Sequence, residues 1–246
     1  MQEFTGRILL LTGAAGGIGR EIAAFFFARG ASLLLADLDE SAVINMARQM
    51  DPQGERIIAA RYDAACEHDA GIIASLAHDH FGGVDLMVTG AGIYPHCPVS
   101  QMEGADWRRV IAINLDSVFY LCRAVMPILR ENSAIVTLTS VAAHRGSQNH
   151  AHYSASKGAV LSLTRSLAIE LGGRTRVNAV SPGIIETAMT RELRGEKGDI
   201  LKAQTPCGRF GQPREVASVV AFLCGDDASF VNGEVIHVNG GLYMAG

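Results

Sequence analysis

Lysine is nearly absent from this chain: three residues, at 157, 197 and 202, stand among 21 basic side chains. A lysine inside a motif is therefore informative. The net charge is −4 and no run of like charge occurs, which excludes the basic field that nucleic-acid binding needs. The five cysteines (66, 97, 122, 207 and 224) are odd in number and form no CxxC pair. That excludes a disulfide framework or a thiolate metal site and fits reduced thiols in a cytoplasmic protein. Charged residues are only 19% and apolar ones 48%, a composition that builds a core and excludes disorder. Long apolar runs are lacking too. The opening MQEFTGRILLLTG is too short for a signal sequence or a membrane span and reads as a buried strand. With no repeat, low-complexity stretch or linker, one domain over residues 1–246 is the simplest organisation.

Short apolar runs alternate with longer amphipathic segments. The runs are Arg7–Thr12, Ser32–Ala36, Arg56–Arg61, Val84–Val88, Ala134–Thr139, Arg176–Val180 and Glu234–Val238. Most are unbroken rather than alternating, as strands buried on both faces require. Helices are expected over Gly17–Arg29, Glu40–Met50, Cys66–Phe81, Ala105–Arg130, His152–Leu171, Ala188–Ala203 and Pro213–Cys224. The alternation predicts an α/β fold, a Rossmann-type doubly wound parallel sheet of about seven strands with helices on both faces. RELRGEKGD, within residues 188–208, reads either as a mobile substrate flap or as a solvated helix end.

The first strand runs into TGAAGGIG and then a helix, with glycines at 13, 17 and 19. Glycine there permits the turn and close backbone approach, and the helix N-terminus offers N–H donors to a pyrophosphate; the alternative is a structural turn. Asp37 ends the second strand, where a carboxylate accepts from ribose hydroxyls and repels a 2′-phosphate. No arginine lies within the loop, and Arg20 beyond it is expected to point along the helix. NAD(H) is therefore predicted over NADP(H). Asp63 ends the third strand, either to reach an adenine or to cap the strand.

Tyr153 and Lys157, in YSASK, stand four apart on a helix face. A neighbouring ammonium favours the phenolate and lowers the tyrosine pKa, which would make the phenol a proton donor and acceptor for a substrate oxygen; a solvated surface pair is the alternative. Ser140 closes the fifth strand, at the carboxyl end where parallel sheets bind ligands. Asn114 is an amide among apolar residues, there either to satisfy a neighbouring backbone or to organise a water. SPGIIET follows the sixth strand, and Thr187 can cap the next helix.

Together these motifs resemble the short-chain dehydrogenase/reductase family over nearly the whole chain. TGAAGGIG is similar to its TGxxxGxG; Asn114, Ser140, Tyr153 and Lys157 match its tetrad; RVNAVSPGIIET and GEVIHVNGGLYM match later blocks. The tail and GIIETAMTREL resemble the 3-oxoacyl-(acyl-carrier-protein) reductase branch most. The resemblance implies that Tyr153 exchanges the proton and that Lys157 lowers its pKa and holds the nicotinamide ribose. Ser140 would bond the substrate oxygen, and Asn114 would position a water. Gly13, Gly17, Ile18 and Gly19 would meet the pyrophosphate, Asp63 and Ala64 the adenine. Gly92, Pro182, Gly183, Ile185 and Thr187 would line the nicotinamide end.

Two departures stand out. Where the family has NNAG, this chain has Thr89-Gly90-Ala91-Gly92, losing two amides that tie down the strand end. The acyl-carrier reductases mostly favour NADPH, with arginine in the glycine loop and basic residues near the entrance. Here the loop has none, Arg130 is followed by Glu131, and Arg174 remains, so an acyl carrier protein gains little. The substrate is expected to be a small alcohol or ketone. A 3-oxoacyl/3-hydroxyacyl thioester comes first, then a cyclic, polyol or sugar-type alcohol; a non-catalytic dinucleotide sensor is the rival of another class. Tyr94, His96, His144, Gln148 and His150 are candidates to line the substrate pocket, with loop packing as the alternative for Tyr94 and His96. His144, His150 and His152 lack a nearby Cys or acidic ligand, so no metal is expected. Helices apolar on several faces, with the resemblance, imply a homotetramer and no membrane partner.

Overall fold

The computed structural model describes residues 3–245. Its strands are β1 (Ile8–Thr12), β2 (Ser32–Asp37), β3 (Ile57–Arg61), β4 (Val84–Thr89), β5 (Leu129–Leu138), β6 (Thr175–Pro182) and β7 (Val235–Val238). All pair in parallel, in the order β3-β2-β1-β4-β5-β6-β7. The helices are α1 (Gly17–Phe27), α2 (Glu40–Met50), α3 (Glu67–Phe81), α4 (Gly104–Ile111), α5 (Ser117–Val125), α6 (Ala142–Arg145), α7 (Ala151–Leu171), α8 (Arg191–Gln204) and α9 (Pro213–Cys224).

Successive strand residues enter opposite layers. Leu9, Leu11, Leu33 and Leu35 pack with Phe26 and Val220 on one side. Leu10, Leu34, Met87 and Ile135 pack with Ile73, Leu121 and Val160 on the other. Both layers exclude water, which is why the runs are unbroken in sequence. Strand order reverses between β1 and β4, so a crevice opens at their carboxyl ends.

The structure departs from the expected elements in three places. The helix expected over residues 105–130 is α4 and α5 joined by a π turn at Ala112–Asp116, and it ends in a 3-10 turn at Met126–Ile128. β5 then starts at Leu129, earlier than expected. Its register against β4 shifts between Val84 and Leu86, while Asn132 takes φ 59°. The segment around Arg191–Asp199 is helical, within α8, but the helix breaks at Lys197 (φ −128°, ψ 19°) and buries no residue.

Candidate active site

The glycine loop is held by close backbone packing. A Cβ on Gly13 would lie 2.6 Å from the Gly90 carbonyl, one on Gly19 2.2 Å from Gly13 O, and one on Gly17 2.8 Å from Thr187 Cγ2. Gly13 also takes φ 66°. The missing amides of TGAG have a substitute: Thr12 Oγ1 accepts from Gly90 N–H (3.2 Å) and Ala91 N–H (3.4 Å). The strand end is thus tied down from β1, and Gly90 permits an approach that any side chain would block. Gly16 caps α1 without a side chain, and among the described residues the N–H groups of Gly17, Ile18 and Gly19 meet no acceptor outside the helix. A row of free donors at a helix N-terminus can hold an anion.

Asp37 is half-buried beside this loop. Its Oδ2 accepts from Ala15 N–H at 2.9 Å and its Oδ1 from Asp39 N–H at 3.1 Å, which leaves further lone pairs for a ligand. Arg20 does not run along the helix as expected: its Nε donates back to Ala15 O at 2.8 Å. A carboxylate and a guanidinium therefore flank one loop residue. Asp63 lies two residues past the end of β3, where its Oδ1 accepts from Ala65 N–H at 3.0 Å and closes a turn, and Ala64 beside it is buried.

Tyr153, Lys157, Ser140 and Asn114 come together where β4, β5, α7 and the π turn meet. The Asn114 amide is fully buried. Its Oδ1 accepts from Ile93 N–H (2.8 Å), and its Nδ2 donates to Ile93 O (3.0 Å) and Ser156 Oγ (3.2 Å). The Asn114 side chain thus satisfies the Ile93 backbone. A Cβ on Gly92 would lie 3.3 Å from Asn114 Oδ1 and 3.6 Å from Lys157 Nζ, so glycine keeps that corner open. Lys157 Nζ donates to Leu138 O at 2.8 Å, and burial lowers its pKa to about 8. Tyr153 reverses the expected direction. Burial pushes its pKa up to about 12, the nearby Ser140 hydroxyl opposes the rise, and Tyr94 adds to it. Loss of solvent around the phenolate dominates, and the Lys157 ammonium, engaged with the Leu138 carbonyl, does not counter it. Ser140 Oγ also accepts from Ala142 N–H at 3.1 Å.

The segment after β6 folds over the glycine loop, with Thr187 packed on Gly17. Gly183 packs against Asn239, where a Cβ would come within 2.7 Å, and Pro182 ends β6 opposite Val238. The Ile185 side chain is buried in the core, so only its backbone can meet a ligand. Thr190, not Thr187, occupies the position before α8, and its hydroxyl donates to Ile185 O.

The three histidines of the 144–152 stretch go to three places. His150 stacks on Tyr94 (3.8 Å between centroids, 2° between planes), and Tyr94 meets Tyr153 edge-on at 4.6 Å. His144 lies between His237 and Tyr243, away from that wall. His152 is fully buried, its Nδ1 accepting from Tyr153 N–H at 3.0 Å. Among the described residues no group of three or more His, Cys, Asp or Glu stands together as a metal site. His96 is exposed, with Nε2 against Asn149 Nδ2 at 2.9 Å, and Gln148 contributes its backbone carbonyl while its side chain is exposed. The sequence reading missed His237, Tyr243 and Ser147. Only the spacing of β7 from the end of β5 brings the first two to His144, and no local signal marks it.

The family model described as enoyl-(acyl carrier protein) reductase matches residues 13–243. The 3-oxoacyl-(acyl-carrier-protein) reductase FabG of Salmonella typhimurium (strain LT2) is 38% identical over 245 residues, covering 98% of this chain and 99% of that protein. A crystal structure from Brucella melitensis, titled short-chain dehydrogenase/reductase SDR:glucose/ribitol dehydrogenase, is 53% identical, with TM-score 0.97 and 99% of each chain covered. The crystal structure of levodione reductase is 32% identical, with TM-score 0.90 over 97% of this chain and 98% of that one. With this match in sequence and fold, and with Tyr153, Lys157, Ser140 and Asn114 gathered at one strand end, the chain belongs to the short-chain dehydrogenase/reductase family of oxidoreductases.

Proposed function

We propose that this enzyme interconverts a secondary alcohol and a ketone by hydride transfer with NAD(H). The observation that carries the reading is the buried Tyr153 phenol beside Ser140, with Lys157 behind it. A neutral phenol and a hydroxyl aimed at one substrate oxygen can hold it and exchange its proton. The residues fit a dinucleotide: the free N–H groups of Gly17, Ile18 and Gly19 suit a pyrophosphate, and the carboxylate of Asp37 suits a ribose diol. The cofactor, when bound, supplies or accepts the hydride, and the protein supplies orientation. A sensor that only binds the dinucleotide has no need of the buried proton-transfer set.

A free small molecule fits better than a carrier-bound one. Arg130 and Arg174, the basic candidates for a carrier protein, stand beside the amino-terminal ends of β5 and β6, away from the site at the carboxyl ends, and are paired with Asp85 (3.1 Å) and Glu131 (3.4 Å). The reading includes a cytoplasmic homotetramer; Phe119 on α5 and Ile169 on α7 are exposed apolar side chains on the two helices expected to bury a second surface. Absorbance of NADH with a panel of ketones, and of NAD with alcohols, tests the reaction; tight NADH binding with no turnover of any compound would leave the sensor.

Cofactor choice has its own test. Asp37→Ala should raise the NADP-to-NAD ratio of kcat/KM on the order of a hundredfold, since a carboxylate no longer faces the 2′-phosphate. Arg20, folded onto Ala15, then becomes the phosphate's cation. Adding Arg20→Ala to Asp37→Ala should remove most of that gain. A wild-type enzyme that already prefers NADP overturns the NAD assignment.

A further inference from the structure

The stacked pair Tyr94/His150 is held by a chain of hydrogen bonds that the proton-transfer set does not use. The Tyr94 hydroxyl and Ser147 Oγ are 2.7 Å apart, and Ser147 Oγ lies 3.3 Å from His150 Nδ1. His150 Nδ1 is also 2.7 Å from Gln148 O. A carbonyl oxygen only accepts, so Nδ1 carries the proton. Nε2 of the same ring is then an acceptor. It makes no hydrogen bond among the described residues, yet it is not one of the sealed, unpartnered polar atoms. Burial of the ring, assisted by His96 and His152, favours the neutral imidazole, and Glu192 on α8 is the acidic group within electrostatic reach. The acceptor therefore remains accessible beside the Tyr94 ring.

His150 stands at the N-cap of α7, three residues before Tyr153, and Tyr94 touches both rings, stacked on His150 and edge-on to Tyr153. A substrate oxygen at Tyr153 leaves the next one or two carbons opposite His150. Those carbons meet a hydrogen-bond acceptor on a flat, uncharged wall. A thioester carbonyl there would face lone pair to lone pair, and a hydrocarbon would leave the acceptor dry and unpaired. A second hydroxyl donates to it.

We infer that His150 Nε2 is an acceptor subsite for a second hydroxyl, so that the substrate is a vicinal or 1,3-diol, as in a polyol or cyclic diol, rather than an acyl thioester. This rests on the dehydrogenase reading above and deepens it.

The test is steady-state kinetics with NAD on matched pairs: cyclohexane-1,2-diol against cyclohexanol, and butane-2,3-diol against butan-2-ol. 3-Hydroxybutyryl N-acetylcysteamine is the thioester arm. The diol should exceed its mono-alcohol in kcat/KM by about tenfold, the value of one neutral hydrogen bond. His150→Phe, which keeps the stack on Tyr94 and lacks the acceptor, should bring the ratio close to one. His150→Gln, which restores an acceptor, should recover most of it. Because each ratio is taken within one protein, general damage cancels. Equal rates for diol and mono-alcohol in the wild type, a ratio unchanged in His150→Phe, or a thioester preferred over both diols overturns the subsite while the dehydrogenase stands. No turnover of any alcohol beside retained NADH binding overturns the dehydrogenase reading itself, and the subsite with it.

Discussion

Tyr153→Phe should lower kcat/KM by about 10³-fold, the usual worth of a positioned acid or base, while NADH binding changes little. The phenylalanine keeps the ring that Tyr94 meets edge-on at 4.6 Å and removes only the oxygen. A loss of kcat without a loss of cofactor affinity marks an interaction made in the transition state. Steady-state rates beside fluorescence titration of NADH measure the two separately, and full activity in the variant would sink the proton-transfer role. The pH dependence follows from the phenol's elevated pKa of about 12. At neutral pH the phenol is protonated, the form that donates to a ketone. Oxidation of an alcohol needs the other form, so its rate should climb into the alkaline range while the reduction rate falls.

Lys157→Met should abolish most activity and yet stabilise the fold at neutral pH. The lysine is 6% exposed, and burial brings its pKa from 10.5 to about 8. The sign is set by proton binding. Between pH 8 and 10.5 the unfolded chain holds the proton that the folded chain has released, so stability rises with pH across that window. Below pH 8 both states are charged, and the full cost of burying the ammonium, up to about 3 kcal/mol, is present. Methionine removes that charge at similar volume, leaving Leu138 O without its donor, so the net gain is smaller. Thermal melts should show a Tm above the wild type at pH 7 and a difference that narrows toward pH 10. A lower Tm at pH 7 would mean that the bond to Leu138 outweighs the burial cost. Tyr153 works at higher pH and in the opposite sense: its contribution is whole below pH 10 and is lost as pH rises through about 12.

The parallel sheet was legible because its cause is local. An apolar residue at every position of SLLLAD has no account except burial on both faces, and Leu33 and Leu34 enter opposite layers. The glycine loop was legible for the same kind of reason, since backbone contacts such as Gly13 on Gly90 admit no side chain. The π turn was not legible: helix periodicity runs through residues 105–128 unbroken. Its one trace is a buried amide, Asn114, in an apolar stretch, and that amide binds Ile93 across the site. Arg20 and Thr187 were misjudged because a side chain's direction, or a helix's first residue, depends on what the neighbouring loop offers.

By itself the sequence determined which groups are available: one lysine four residues from a tyrosine, a loop only glycine can make, and a carboxylate at the end of β2. These follow from residue type and spacing along one element. Tertiary structure decided what those groups are worth. Burial, which no spacing encodes, raises the Tyr153 phenol when the lysine alone would lower it. Contact between segments far apart in the chain places Tyr94 on His150 and leaves Nε2 as an acceptor. Proton affinity depends on the solvent a fold excludes, and hydrogen-bond polarity on the partner it supplies.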